Sequence, residues 1–148
     1  MTKEGQEWFV CRIEEFDQNS KKRFQVQDRD IVIIRRGEKF FALDSFCYHA
    51  GGPLFMGDIE DFNGLSCLVC PWHHYKVHIE TGNMVYQSID PHNPKNPPVW
   101  KNSGQKQRVH RVTVRDDSLF VTFSDCTGDL QSDQYNALEY RQRWQTNS

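Results

Sequence analysis

The chain has 148 residues, 37% of them hydrophobic and 26% charged, with a net charge of −2. That composition suits one globular domain with its own core, and the lack of a basic excess argues against a general nucleic-acid binder. No apolar run reaches the length of a membrane span, and the polar, acidic start from Met1 to Glu7 reads as neither a secretory signal nor an Arg-rich presequence, so a cytoplasmic protein is expected.

In chain order the sequence reads as short strands joined by turns. Trp8–Cys11 and Arg23–Gln27 are the first candidates. Ile31–Arg35 is β-branched, turns at Gly37-Glu38 and returns as Lys39–Leu43. Between Asp58 and Gly64 lies a polar stretch that reads as a turn segment, with Asp58, Glu60 and Asp61 solvated. Leu65–Val69 is an apolar strand that stops at Pro71. Tyr75–Ile79 alternates, turns at Thr81-Gly82-Asn83 and continues as Met84–Tyr86. Asp90 to Pro98 contains Pro91, Pro94, Pro97 and Pro98 and reads as an irregular loop. Val109–Val114 and Leu119–Phe123 form a hairpin around Asp116-Asp117-Ser118. Tyr135 to Trp144 has aromatics at roughly helical spacing, which predicts a short C-terminal helix or tail. The predicted fold class is all-β.

Five cysteines, an odd number in a chain without a signal, argue against a disulfide framework. Clustered Cys and His instead suggest metal. Two pairs stand out, Cys47-x-His49 and Cys70-x-x-His73, each combining a soft thiolate with an imidazole. Both follow apolar strands and enter turn-rich segments. Thiolate and imidazole both suit iron, and loop backbone supplies free N–H groups that bridging sulfides need. Gly51 and Gly52 let the backbone come close, and Pro71 ends its strand so that Trp72 and His73 leave the sheet. A tetrahedral zinc site made of Cys67, Cys70, Cys47 and His49 is the competing arrangement. Cys67 alone is most simply a core residue of its strand.

The runs Cys47-Tyr48-His49-Ala50-Gly51-Gly52-Pro53-Leu54 and Cys70-Pro71-Trp72-His73 resemble the Rieske iron–sulfur family, and within it the Rieske-type ferredoxins. The resemblance implies a Rieske domain of small stacked antiparallel sheets over residues 8–123, with its cluster-binding part at about 45–80, followed by a helix or tail over 124–148. It implies one [2Fe–2S] cluster per chain, with Cys47 and Cys70 on one iron and His49 and His73 on the other, each histidine binding through Nδ1. No catalytic residue is implied; the expected function is one-electron transport. The partners would be a reductase and an acceptor protein, with no nucleic acid or membrane, and the chain is expected to be a monomer.

The chain departs from the respiratory and photosynthetic members of that family. Gly52 and Trp72 stand where those proteins carry a disulfide that ties the two loops. Tyr75 and Val77 stand at positions of cluster-facing Ser and Tyr hydroxyls, and His74 replaces a usual Gly. Rieske potentials span about −150 to +300 mV, and hydrogen bonds to sulfur raise them, so a cluster here is expected near the low end. A mononuclear oxygenase site needs further His ligands, and the chain after Phe123 has none. Two alternatives remain open at this point: a redox- or iron-sensing module, and an electron-supplying component for a separate oxygenase.

Overall fold

The structure is a computed structural model that describes residues 6–62, 64–124, 130–136 and 140. Its eleven strands are β1 (Glu7–Arg12), β2 (Lys21–Val26), β3 (Arg29–Arg36), β4 (Lys39–Asp44), β5 (Asp58–Phe62), β6 (Leu65–Val69), β7 (Lys76–His78), β8 (Asn83–Ser88), β9 (Val99–Gln105), β10 (Val109–Arg115) and β11 (Ser118–Thr122). They form two antiparallel sheets. One has the order β1-β11-β10-β4-β3-β2, the other β5-β6-β7-β8-β9. The six-stranded sheet curls until its two edge strands, β1 and β2, approach each other. The second sheet is inserted between β4 and β10, which pair through Leu43–Val109 and Ala42–His110.

Strand β3 shows why the two sheets need each other. Successive strand side chains point to opposite faces, and here both faces are apolar. Ile31 and Ile33 enter a core with Phe16, Ala42, Leu119 and Val121 inside the curled sheet. Val32 and Ile34 enter a second core with Leu43, Leu54, Leu68, Val77 and Ile79, between the sheets. The second core also contains Cys47, Tyr48 and Cys70, so the candidate ligand loops are rooted in packed apolar surface.

The expected all-β architecture is present, and the predicted hairpins pair: Arg36 with Lys39 across the first turn, and Arg115 with Ser118 across the last, where Ser118 belongs to the strand and the turn is Asp116-Asp117 alone. Asp116 and Asp117 have φ of 50° and 62°, the left-handed values a two-residue hairpin turn requires. The polar stretch from Asp58 is a correction. Asp58–Phe62 is strand β5, paired with β6 from Asp58–Val69 to Phe62–Leu65. Strand β9 carries no hydrophobic pattern and was not anticipated. Both are edge strands, where charged and polar side chains keep the free edge from pairing with other chains. Residues 131–136 form a 3₁₀ turn; most of the helix expected over Tyr135–Trp144 falls outside the described residues.

A charged cluster closes the base of the six-stranded sheet. Asp44 accepts two hydrogen bonds from Arg29, both 2.9 Å, and one from His110 Nε2 at 2.9 Å. The other ring nitrogen, Nδ1, accepts the Ser124 N–H at 3.1 Å, so the proton of the neutral ring sits on Nε2. Burial pushes this imidazole below its ordinary 6.5; the Asp44 carboxylate pulls it up, while Arg29 and Arg108 push it down. Unfolded chains therefore take up a proton near pH 6.5 that the folded chain refuses. Stability is full above that pH and falls as pH drops toward the lowered folded value, by at most about 1.4 kcal/mol per pH unit. Urea unfolding between pH 7.5 and 5.5 is expected to show this slope, and His110→Gln is expected to remove the part due to His110.

Candidate metal centre

The first ligand loop leaves β4 and closes on itself within a few residues. The Cys47 N–H donates to the Gly52 carbonyl and the Gly51 N–H to the Cys47 carbonyl, both at 2.8 Å. Gly51 has φ +74°, a value that L side chains avoid. Gly52 is glycine for a different reason. A Cβ there would lie 2.8 Å from Cys70 Sγ and 3.0 Å from the Trp72 side chain. The second loop docks into the space the missing methyl leaves. Gly52 and Trp72 are thus in contact.

The second loop leaves β6. The Cys70 N–H donates to the Tyr75 carbonyl at 2.9 Å, which turns the chain back into β7. Between them, His73 and His74 have φ of 67° and 59°. Two consecutive non-glycine residues in the left-handed region store strain of order 1–3 kcal/mol each. The departure from Gly at position 74 therefore has a cost, and it falls beside a candidate ligand.

The structure brings all four candidate residues together as two pairs. The Cys47 and Cys70 sulfurs are hydrogen-bonded to each other and buried, at 1% and 0% exposure. The Cys47 sulfur also accepts the His49 N–H, and the Cys70 sulfur the Trp72 N–H. The thiols titrate as a unit. The shared hydrogen bond, then burial, pushes Cys47 up, while the same bond lowers Cys70 against the effect of burial. Outside the thiols lie the imidazoles, both exposed, with ring centroids 5.2 Å apart and edge to face. No three His, Cys, Asp or Glu side chains among the described residues converge on one point. Cys67 lies buried in β6, where burial, then Asp61, pushes its thiol up to about 11, which suits a core residue better than a ligand.

Two residues at this centre make contacts that the sequence does not announce. The Tyr75 ring stacks on His49 at 4.0 Å with 27° between planes, and meets Tyr48 edge-on at 6.0 Å. Gln107 is fully buried. Its Oε1 accepts the Tyr48 N–H at 2.9 Å, and its Nε2 donates to the carbonyls of Asp44 at 2.9 Å and Phe46 at 2.7 Å. One amide side chain thus replaces a neighbouring strand along the approach to Cys47. Nothing in a lone Gln before β10 announces this, because its partners lie some sixty positions away. The buried Tyr48 hydroxyl has no hydrogen-bond partner among the described residues.

These contacts set two expected outcomes. Gln107→Leu strands the buried Tyr48 N–H and two carbonyls and is expected to cost about 3 kcal/mol in urea unfolding. His74→Gly relieves the left-handed strain at that position and is expected to raise stability by about 1 kcal/mol in the same assay.

Comparison with known proteins follows the same outline. The family model described as soluble Rieske-type ferredoxin matches residues 8–126. A human Rieske domain-containing protein is 42% identical over 132 residues, covering 89% of this chain and 84% of that one. The anthranilate 1,2-dioxygenase ferredoxin subunit of Burkholderia cepacia is 30% identical over 77 residues, covering 51% of this chain and 68% of that one. Among solved structures, the ferredoxin of carbazole 1,9a-dioxygenase from Nocardioides aromaticivorans IC177 superposes with a TM-score of 0.59 at 19% identity, covering 80% of this chain and 98% of that one.

Proposed function

The chain belongs to the soluble Rieske-type ferredoxin family, and on that premise we propose that Cys47, His49, Cys70 and His73 hold one [2Fe–2S] cluster and that the protein is a low-potential one-electron carrier. The observation that carries this reading is the layering of the quartet. Two buried sulfurs, each already accepting an N–H from two residues further on, lie beneath two exposed imidazoles. Four ligands in two pairs suit two metal ions with two protein ligands each. The unused Tyr48 hydroxyl offers a donor near them. When bound, the cluster supplies a site that takes up and releases one electron reversibly.

The protein's own residues set the terms of that exchange. Buried Cys47 and Cys70 hold the inner side away from water, while His49 and His73 present their outer ring edges to a partner. Tyr75 fixes the plane of His49 by stacking, and Trp72, at 40% exposure, flanks the second loop. Buried Val77 offers no hydroxyl, and position 75 carries a ring rather than a serine. With fewer donors to sulfur, electron uptake is less favoured, which supports the low end of the Rieske range. In this reading the domain spans residues 8–123, with the cluster-binding part at about 45–80. No helix among the described residues is long and apolar enough to cross a membrane.

The partners of such a carrier are a reductase and an acceptor. The ferredoxin subunit of anthranilate 1,2-dioxygenase and the ferredoxin of carbazole 1,9a-dioxygenase are, by their names, components of oxygenase systems. They support a second reading, in which this chain supplies electrons to a separate oxygenase. Stopped-flow mixing of reduced protein with candidate acceptors separates rapid cycling from the slow exchange a sensor tolerates.

The decisive test is EPR of the dithionite-reduced protein. The expected spectrum is the rhombic one of a cluster with mixed His and Cys ligands, lost in Cys70→Ser and altered in His73→Cys. A colourless purified protein with bound zinc overturns the assignment. Voltammetry is expected to give a midpoint below about 0 mV, and a value well above it overturns the low-potential reading.

A further inference from the structure

Beyond residue 126, where the match to the family model ends, the chain returns to the first ligand loop. Its described part begins at Leu130 and makes a 3₁₀ turn over Gln131–Asn136. Three sets of contacts anchor it. The Asp133 carboxylate accepts two hydrogen bonds from Arg108, both 2.7 Å, one from Arg29 at 2.8 Å and one from its own Leu130 N–H at 2.9 Å. Burial pushes this carboxyl up, but Arg108, the Leu130 N–H and Arg29 outweigh it and leave it below the usual carboxylate range. Ser132 is buried; its Oγ accepts the Arg108 N–H at 3.0 Å and its N–H reaches the Lys106 carbonyl at 3.3 Å. The turn is therefore pinned on both sides of Gln107, the residue that holds the Asp44–Tyr48 backbone.

The third set reaches the loop itself. The Tyr140 hydroxyl donates to the Gly51 carbonyl. Its ring meets Phe46 edge-on at 5.1 Å and Tyr135 at 5.4 Å. A Cβ at Gly51 would lie 2.5 Å from the Tyr135 ring and 2.6 Å from the Tyr140 oxygen, so the two tyrosines fill the space beside the glycine. The loop's internal bonds, Cys47 N–H to the Gly52 carbonyl and Gly51 N–H to the Cys47 carbonyl, hold the peptides on either side of the Gly51–Gly52 peptide. The Tyr140 hydroxyl holds the carbonyl of the peptide between them.

We infer that residues 130–136 and Tyr140 act as a strap, anchored at Asp133 and closed at Tyr140, that holds the Cys47–Gly52 loop in its ligand-presenting shape, so that cluster retention depends on residues outside the family-defining region. The inference rests on the reading of Cys47 and His49 as ligands. Tyr140 acts through Gly51 and is a positioning residue. The charge pairs at Asp133 supply the anchor because they draw on two arginines already fixed in the six-stranded sheet. A hydroxyl reaching a loop carbonyl without such an anchor would lose more in ordering entropy than one hydrogen bond returns.

The test uses the full chain with Tyr140→Phe, which removes the donor and keeps the ring, and Asp133→Asn, which loosens the anchor. Amide hydrogen exchange is read at Cys47 and Gly51, inside the loop, and at Ile79, whose N–H donates to the Ser66 carbonyl of β6. The expected result is about fivefold faster exchange at Cys47 and Gly51 in Tyr140→Phe, at least as much in Asp133→Asn, and no change at Ile79. In parallel, bleaching of the visible absorption by a chelator is expected to accelerate while the reduced EPR spectrum keeps its g-values. Equal acceleration at all three amides, or none at any, overturns the strap. A colourless protein overturns the cluster reading instead, and the exchange pattern still decides the strap.

Discussion

Two loops from two different sheets meet at Gly52, and the centre depends on that contact being as close as it is. The first loop hangs from β4 of the six-stranded sheet, the second from β6 of the five-stranded sheet. Only a residue without a side chain lets Cys70 Sγ and Trp72 approach the first loop's backbone at van der Waals distance. Their approach brings the two sulfurs into hydrogen-bond contact and sets the imidazoles side by side. The double burial of β3 is the larger-scale version of the same constraint. Its two faces feed two cores, and the core between the sheets sets how far apart the loops start.

Around that contact the protein spends order unevenly. Gln107, with three hydrogen bonds to the Asp44–Tyr48 stretch, replaces missing strand pairing and removes the freedom of the first loop. The second loop is held differently, by one turn bond from Cys70 to Tyr75 and by two residues kept in left-handed conformations. Strain at His73 and His74 is tolerated because β6 and β7, paired through Cys67–His78 to Val69–Lys76, leave the short connection no other path. The result places polar, exposed imidazoles over buried sulfur. With a cluster held as proposed, that order would let an electron be exchanged at the surface while the sulfurs stay in low-dielectric surroundings.

Much of this was legible in the residues. β-Branched and apolar runs announced β3, β4, β6, β10 and β11, alternation announced β7, and the Cys-x-His and Cys-x-x-His runs announced the candidate quartet and the family. Strands β5 and β9 were not legible, because edge strands bury little and carry charges that read as loop. Gln107, Tyr75 and the Asp133–Tyr140 contacts were not legible either, since each acts on a partner far away in sequence. Nothing in the run Val109–Val114 marks His110, yet it is buried against Asp44.

The sequence by itself determined which chemistry the chain offers: two thiols and two imidazoles at short spacings, two glycines where backbone must come close, and no hydroxyl at Val77. Those are properties of residue type and local order, which need no partner to exist. Only the tertiary structure decided that the thiols lie inside and the imidazoles outside, that Gly52 is the meeting point of the loops, and that Tyr140 reaches Gly51. Burial and long-range hydrogen bonds are properties of pairs of segments, and no single stretch of sequence carries them.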